Sequence, residues 1–312
     1  MARAKNHGFP VASPRRFRLK QKDWLPFALI APAFILLLGL VSYPFMTGIQ
    51  ISFHNWELLQ PSDKAFIWFG NFKEFFTDDS IFWGSLWRTA RWTLVAVIGQ
   101  IGIGLPVALY LNMQFRGRAI TRTLALIPWV VPAPVVAIVW VYIFDGNFGV
   151  FNELLLRLGL IDSYVAWLAK PFQSFLVVAS AAIWWGFPFM TVMLLAALQG
   201  LPEEVNEAAR IDGAGPWQRF IHVTLPQIMP TILVVLLLRG LWFSHAVDFI
   251  YLITDGGPGF ANYTLAVYAF RLTAISLDVG YSAALMVVLA GILLGLVAIF
   301  LRQIQRSRGY LD

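Results

Sequence analysis

Six stretches of this chain are apolar over about twenty residues, the length a helix needs to cross roughly 30 Å of hydrocarbon. They fall near Leu25–Gly48, Trp92–Met113, Leu124–Phe144, Phe172–Leu198, Thr231–Ile253 and Val279–Leu301. Lipid offers backbone amides no partner, so each stretch is expected to be a helix. Charged residues are 13% of the chain and hydrophobic residues 59%, where average usage is about 25% charged. So few charges do not cover a surface that faces water, and an ordinary soluble enzyme does not fit. The expectation is an all-α integral membrane protein with six transmembrane helices. Pro44, Pro106, Pro132, Pro134 and Pro188 lie inside the stretches and mark expected kinks.

Lys and Arg set the orientation. With the N-terminus in the cytoplasm, the inside segments hold 15 of the 23 basic residues and the outside segments 7; Arg239 alone lies within a span. That bias favours both termini inside. The N-terminal basic run precedes an apolar stretch too long for a signal peptide, and no convincing small-residue cleavage site follows it. The stretch is read as a retained first helix. The basic run orients the chain and touches anionic lipid rather than nucleic acid. The outside loop His54–Trp87 carries ten aromatic residues. Rings of this kind settle at the membrane–water interface, and a short interfacial helix is expected there. A substrate-stacking platform is the rival reading.

Several chemistries are missing. Cys is absent, and His7, His54, His222 and His245 have no zinc spacing. No paired carboxylates or Ser–His–Asp grouping converge, which argues against a membrane enzyme. The spans hold essentially one acidic group, Asp248, which argues against an ion-coupled transporter acting alone. No G-x-x-x-x-G-K-[ST] occurs, so no P-loop cradles ATP phosphates. Gly291-x-x-x-Gly295 reads as a close-packing face.

Leu201–Pro226 is the informative cytoplasmic loop. Pro202 suits a helix start, and Glu203 and Glu204 suit the positive end of its dipole. A short helix runs to about Ile211, and Asp212-Gly213 is a stop and turn signal. Pro216 starts a second short helix and Pro226 ends it. Ala208, Ala209 and Ala214 leave a low face, while Glu207 and Arg210 offer charges. On periodicity alone a solvated hairpin without a partner remains equally open.

The residue order Glu207-Ala208-Ala209, Asp212-Gly213-Ala214 and Leu225-Pro226 resembles the EAA loop of bacterial ABC importer permeases. Ile250–Pro258 resembles the element that closes span five in the carbohydrate branch, on the maltose F-subunit-like and glycerol-phosphate A-subunit-like side. Gly70-Asn71-Phe72 with Asp78, Leu126-Ile127-Pro128, and Trp185-Gly186-Phe187-Pro188-Phe189 also fit that branch. Unlike the maltose F subunit, this chain shows no extra spans and no large outside domain.

The resemblance implies a type I importer permease (MetI-like) fold in the bacterial inner membrane. It divides the chain into a basic cytoplasmic tail (1–24), a permease domain (25–302) with its coupling loop at about 200–226, and a cytoplasmic C-terminal tail (303–312). It implies four kinds of partner: a second, G-type permease, two copies of an ATP-binding subunit that hold ATP-Mg, an external solute-binding protein, and lipid. No cofactor or metal is expected on this chain, and it is expected to have no enzyme activity. Glu207, Ala208, Ala209, Asp212, Gly213 and Ala214 would meet the ATPase. Gly186 and Phe189 occupy positions that line the sugar site in the family. Arg239, Trp242, Phe243 and Ala246, at i, i+3, i+4 and i+7, are expected on one face of span five. Aromatic rings suit the apolar C–H faces of sugars. An Arg within a span reads as functional, either on substrate, on a partner carboxylate or on backbone carbonyls. Trp184, Trp185 and Trp242 are open to plain packing between helices, and His245 is read as a packing residue.

Overall fold

The apolar stretches do become helices. The computed structural model describes residues 25–59 and 64–308; the basic tail 1–24 lies outside the described residues. The chain up to Thr47 and the chain from Gly48 onward are two units. In the first, α1 (Leu25–Leu37) leads through a π turn, Leu38–Ser42, into α2 (Tyr43–Ile51), within which the division falls. The Tyr43 N–H reaches back to the Leu38 carbonyl immediately before Pro44. The wider π turn accommodates a proline ring that cannot donate to the helix ladder.

In the second unit, a two-stranded hairpin pairs β1 (His54–Asn55) with β2 (Ala65–Phe66), and the expected short outer helix follows as α3 (Gly70–Thr77). Buried Asn71 ties the two together, its Nδ2 donating to the carbonyls of Ser52 (2.8 Å) and His54 (3.0 Å).

Two long helices form the frame, α4 (Phe82–Asn112) and α8 (Pro171–Gln199). They cross closely because α4 presents glycine. A Cβ at Gly99 would stand 2.3 Å from Ile183 Cδ1, and one at Gly104 would stand 2.6 Å from Met190 Cβ. A Cβ at Gly291 or Gly295 would meet nothing within 4 Å, so the expected packing face of the last span is not used against a helix of this chain among the described residues. The second span also begins earlier than Trp92. Hydropathy marks only the part that faces lipid, whereas the outer end of α4 is held by protein. Thr89 Oγ1 accepts from the Leu265 N–H (2.8 Å), and Arg91 donates to the Ala261 carbonyl (2.8 Å).

The third stretch is not one straight span. It splits into α5 (Arg118–Val130) and α6 (Ala133–Ile143), bent by 89°. Val131 precedes Pro132, and the proline ring pushes its neighbour into the extended region (φ −71°, ψ 129°). The Val131 carbonyl loses its helical partner and takes the indole N–H of Trp185 instead (2.9 Å). Outside this bend, α7 (Val150–Arg157) is strapped to the Val165–Trp167 segment by Asn152, which donates to Asp145 and Val165 carbonyls and accepts from Val165 N and Trp167 Nε1. On α7, hydrogen bonds from Tyr164 and then from Arg157 hold the Glu153 carboxyl below its usual range.

After α8 come α9 (Glu203–Ile211), α10 (Pro216–Arg219), a second π turn at Phe220–Thr224, and α11 (Leu225–Ser244). Pro226 does not end the second short helix: the chain is helical without interruption from Pro216 to Ser244. The π turn again places its long hydrogen bond, Leu225 N to Phe220 O, one residue before a proline. The fifth stretch ends early, at Ser244, and resumes as the short α12 (Asp248–Thr254). Two of the carbonyls freed at the break, those of Leu241 and Phe243, are taken by side chains. Trp92 Nε1 donates to Phe243 O (3.0 Å), Ser244 Oγ donates to Leu241 O (2.7 Å), and His245 Nδ1 lies 2.8 Å from Leu241 O.

A last short helix, α13 (Leu265–Arg271), and a third π turn, Leu272–Ser276, lead into α14 (Val279–Arg308), which continues past the expected boundary at residue 302. Asp79 binds this end of the molecule together, accepting the hydroxyls of Tyr268 (2.9 Å) and Tyr281 (2.8 Å) while its other oxygen caps the Ile81 N–H (2.7 Å). Among the described residues, five helices are long and apolar enough to span a membrane, and six if the bent α5–α6 pair counts as one span.

The bend makes a quantitative expectation. Trp185→Phe keeps the ring and strands the Val131 carbonyl, so unfolding in detergent should become easier by about 1–3 kcal/mol. An unchanged melting temperature would show that the indole does not hold the bend.

Candidate functional site

Two places stand out, one at each end of α11. The cytoplasmic hairpin is built by local sequence. Helix α9 stops in a left-handed turn, with Gly213 at φ +82°, Gly213 N bonded to Arg210 O (3.1 Å) and Ala214 N bonded to Ala209 O (3.0 Å). Only glycine takes that conformation without strain, which is why the turn falls at Asp212-Gly213. The Gln218 side chain then accepts from the Gly215 N–H (3.0 Å) and starts α10. Glu207, Ala208, Asp212 and Gly213 are exposed, and Ala209 and Ala214 are half-buried. The loop sequence did not draw attention to Ile211, yet it is 86% exposed at the end of α9, and Trp217 at the start of α10 is 71% exposed. Large apolar side chains presented this way are typical of surfaces that a protein or a membrane covers. Behind the hairpin, Glu207 and Arg210 line a cavity of about 510 Å³ shared with Asn112, Arg118 and Gln199. Arg118 Nε donates to the Leu111 carbonyl (2.7 Å), which ties the end of α4 to this cavity.

Higher on α11 lies Arg239, fully buried. Its Nε donates to Gln100 Oε1 (2.9 Å), and Gln100 in turn donates to the Ala182 carbonyl (3.1 Å). Arg239 Nη1 and Nη2 have no partner among the described residues. Four rings surround the guanidinium, with centroids 4.8 Å (Phe243), 5.1 Å (Phe189), 5.5 Å (Trp242) and 5.7 Å (Trp185) from Cζ. Their faces supply the partial negative charge a cation seeks once water is removed.

The residues expected on a substrate face separate into different roles. Gly186 is buried beneath the cation. A Cβ there would stand 2.3 Å from Arg239 Nη2 and 2.4 Å from Gln100 Cδ, so glycine is what lets α4, α8 and α11 meet. Phe189 is half-buried and rests edge-on against Trp129 (5.6 Å). Trp242 is half-exposed, whereas Phe243 is buried against Trp92 (5.9 Å). Ala246 lies beyond the end of α11, so the expected four-residue face holds only three. Trp184 packs on Trp140 (5.0 Å), which donates to Ser180 Oγ (3.0 Å). His245 caps the end of its own helix. Gln100 escaped the sequence reading, although an amide in the middle of an apolar stretch was its signal. Among the described residues no group of acidic and imidazole side chains could hold a metal ion.

A bent bundle of lipid-spanning helices, a buried polar cluster at mid-span and an exposed apolar-tipped hairpin on the cytoplasmic side together define a membrane transport subunit. Residues 100–308 match the family described as binding-protein-dependent transport system inner membrane component, and the chain belongs to that family. It is 37% identical over 281 residues to the sulfoquinovosyl glycerol transport system permease protein SmoG of Agrobacterium fabrum, covering 90% of each chain. It is 34% identical over 278 residues to the trehalose/maltose transport system permease protein MalF of Thermococcus litoralis, covering 89% of this chain and 92% of that one. Among solved structures it superposes, with a TM-score of 0.78 and 25% identity, on a chain of a bacterial alginate ABC transporter in complex with an alginate pentasaccharide-bound periplasmic protein; the match covers 91% of this chain and 95% of that one. The chain is therefore an inner-membrane permease of the MetI-like fold, the transport component of an ABC importer and not its catalytic subunit. Membership in a family fed by binding proteins displaces the reading of an ion-coupled transporter acting alone.

The buried cluster predicts a coupling. Gly186→Ala should cost about 1–3 kcal/mol of stability by overpacking. The cost should shrink in a Gln100→Ala background, as measured by a double-mutant unfolding cycle in detergent. Strictly additive costs would show that the glycine does not serve the Arg239–Gln100 pair.

Proposed function

We propose that this chain is the F-type half of a permease pair that carries a sugar or oligosaccharide across the inner membrane. The solute is handed over by an external binding protein. The names of its relatives support a saccharide, since they cover sulfoquinovosyl glycerol, trehalose/maltose and alginate. The pair is completed by a second, G-type permease and two ATP-binding subunits that hold ATP-Mg. The chain itself has no phosphate-binding loop with which to hydrolyse ATP.

One observation carries the mechanism. The second arm of the cytoplasmic hairpin and the helix bearing Arg239 are one continuous helix, Pro216–Ser244. Glu207, Ala208, Ala209, Asp212, Gly213 and Ala214 dock in a cleft of the ATPase, with Ile211 and Trp217 as apolar anchors. Closure of the ATPase dimer displaces the hairpin, and α11 carries that displacement about 35 Å along its axis toward Arg239. The permease pair then switches between inward-open and outward-open arrangements around a midplane cavity. Phe189, Arg239, Trp242 and Phe243 form this chain's part of that cavity, with Gly186 beneath them; Ala246 borders it from the break beyond α11.

Gly213→Asp tests the lever. A Cβ at Gly213 meets nothing within 4 Å, so the variant should fold and reach the membrane. Strain at positive φ and a new charge on the docking face should abolish ATP-driven uptake in vesicles holding the whole importer. Uptake at the wild-type rate would refute the lever. Copurification provides the second check: an ATPase and a second permease should accompany the chain.

A further inference from the structure

Among the described residues, Arg239 is a cation without an anion. It is fully buried, and the ion pairs among the described residues, Glu153–Arg157 and Asp255–Arg271, both lie elsewhere. Gln100 is neutral and engages only Nε. That bond fixes the plane of the guanidinium, while both Nη atoms make no hydrogen bond among the described residues and Nη2 rests against Gly186. Two donors on one planar fork match the two oxygens of a carboxylate or sulfonate. The aromatic faces lessen the cost of burying the charge and do not neutralise it. The rings of Phe189 and Trp242 lie 5.1 and 5.5 Å from the guanidinium carbon, and Trp242 is itself 48% exposed, so the ring cage around the cation extends to the surface of this chain.

We infer that the saccharide carried by this permease is anionic, and that Arg239 reads its carboxylate or sulfonate in the occluded state while the rings around it pack on the sugar. Gln100 is a positioning residue that aims the fork. A neutral sugar can fill the same ring cage and accept a hydrogen bond, but it leaves the buried charge uncompensated. The inference rests on the saccharide-importer reading above.

The test uses the whole importer, purified with its own partner subunits and placed in lipid nanodiscs. Omitting the binding protein removes that protein's selection from the result. An oligouronate is titrated against the same oligosaccharide with its carboxylates reduced to alcohols, and tryptophan fluorescence reports binding. The wild type should bind the uronate about 30-fold more tightly or better. Arg239→Gln should bring the two affinities together. Gln100→Ala, which releases the fork without removing its charge, should lower the preference. Equal affinities in the wild type, or a preference that survives Arg239→Gln, would overturn the inference. Failure of both saccharides to bind the wild type would overturn the saccharide reading as well. Should Arg239→Gln fail to assemble, Arg239→Lys decides, because it keeps the charge and loses the fork. A severalfold weaker preference supports the inference; an unchanged preference places the partner of Arg239 in the second permease and overturns it.

Discussion

In hydrocarbon a backbone carbonyl that leaves its helix must find another donor inside the protein. At two breaks in the spans, indole side chains meet that requirement for a freed carbonyl. Where Pro132 breaks the third stretch, Trp185 on α8 reaches the Val131 carbonyl. Where α11 stops at Ser244, Trp92 on α4 reaches the Phe243 carbonyl, and Ser244 and His245 turn back on Leu241. The indoles that satisfy the breaks also hold the helices in register. Trp185 and Phe243 then become two of the four walls around Arg239. The polar centre of the bundle is thus assembled by the same residues that keep its broken backbone dry.

That centre joins three spans. Gly186 on α8 leaves room, Gln100 on α4 supplies the acceptor, and Arg239 on α11 supplies the charge. Glycine is needed because any side chain would occupy the volume of the other two. The continuity of the helix from Pro216 to Ser244 is what the proposed lever requires of this cluster. A flexible joint between hairpin and span would dissipate displacement, whereas a continuous helix containing a π turn has no such joint.

Much of this was readable from residue order. The apolar stretches located the spans, the glycine after Asp212 located the hairpin turn, and the single cation within a span singled out Arg239. Other features were misread for physical reasons. Hydropathy reports contact with lipid, so it could not show that α4 extends outward to Phe82 under a protein cover. Pro226 carries the same local signal whether a helix ends or a π turn absorbs it. The small-residue spacing at Gly291 and Gly295 is also common to packed and open helix faces, and here the close crossing uses Gly99 and Gly104 instead. Gln100 was legible only as an oddity, because an amide in an apolar stretch does not say which residue, 139 positions along the chain, it will meet.

Residue order alone settled the class of environment, the number of crossings to within the bent pair, the shape of the cytoplasmic hairpin and the presence of a buried charge. These follow from local forces: the hydrophobic length of a segment, the φ preference of glycine, the ring of proline. Tertiary structure alone decided which carbonyl each indole would satisfy, that Ala246 falls off the face of α11, and that a glycine, an amide and a guanidinium from three helices share one site. Such contacts depend on how helices cross, and crossing is set by the fit of whole surfaces rather than by any short run of residues.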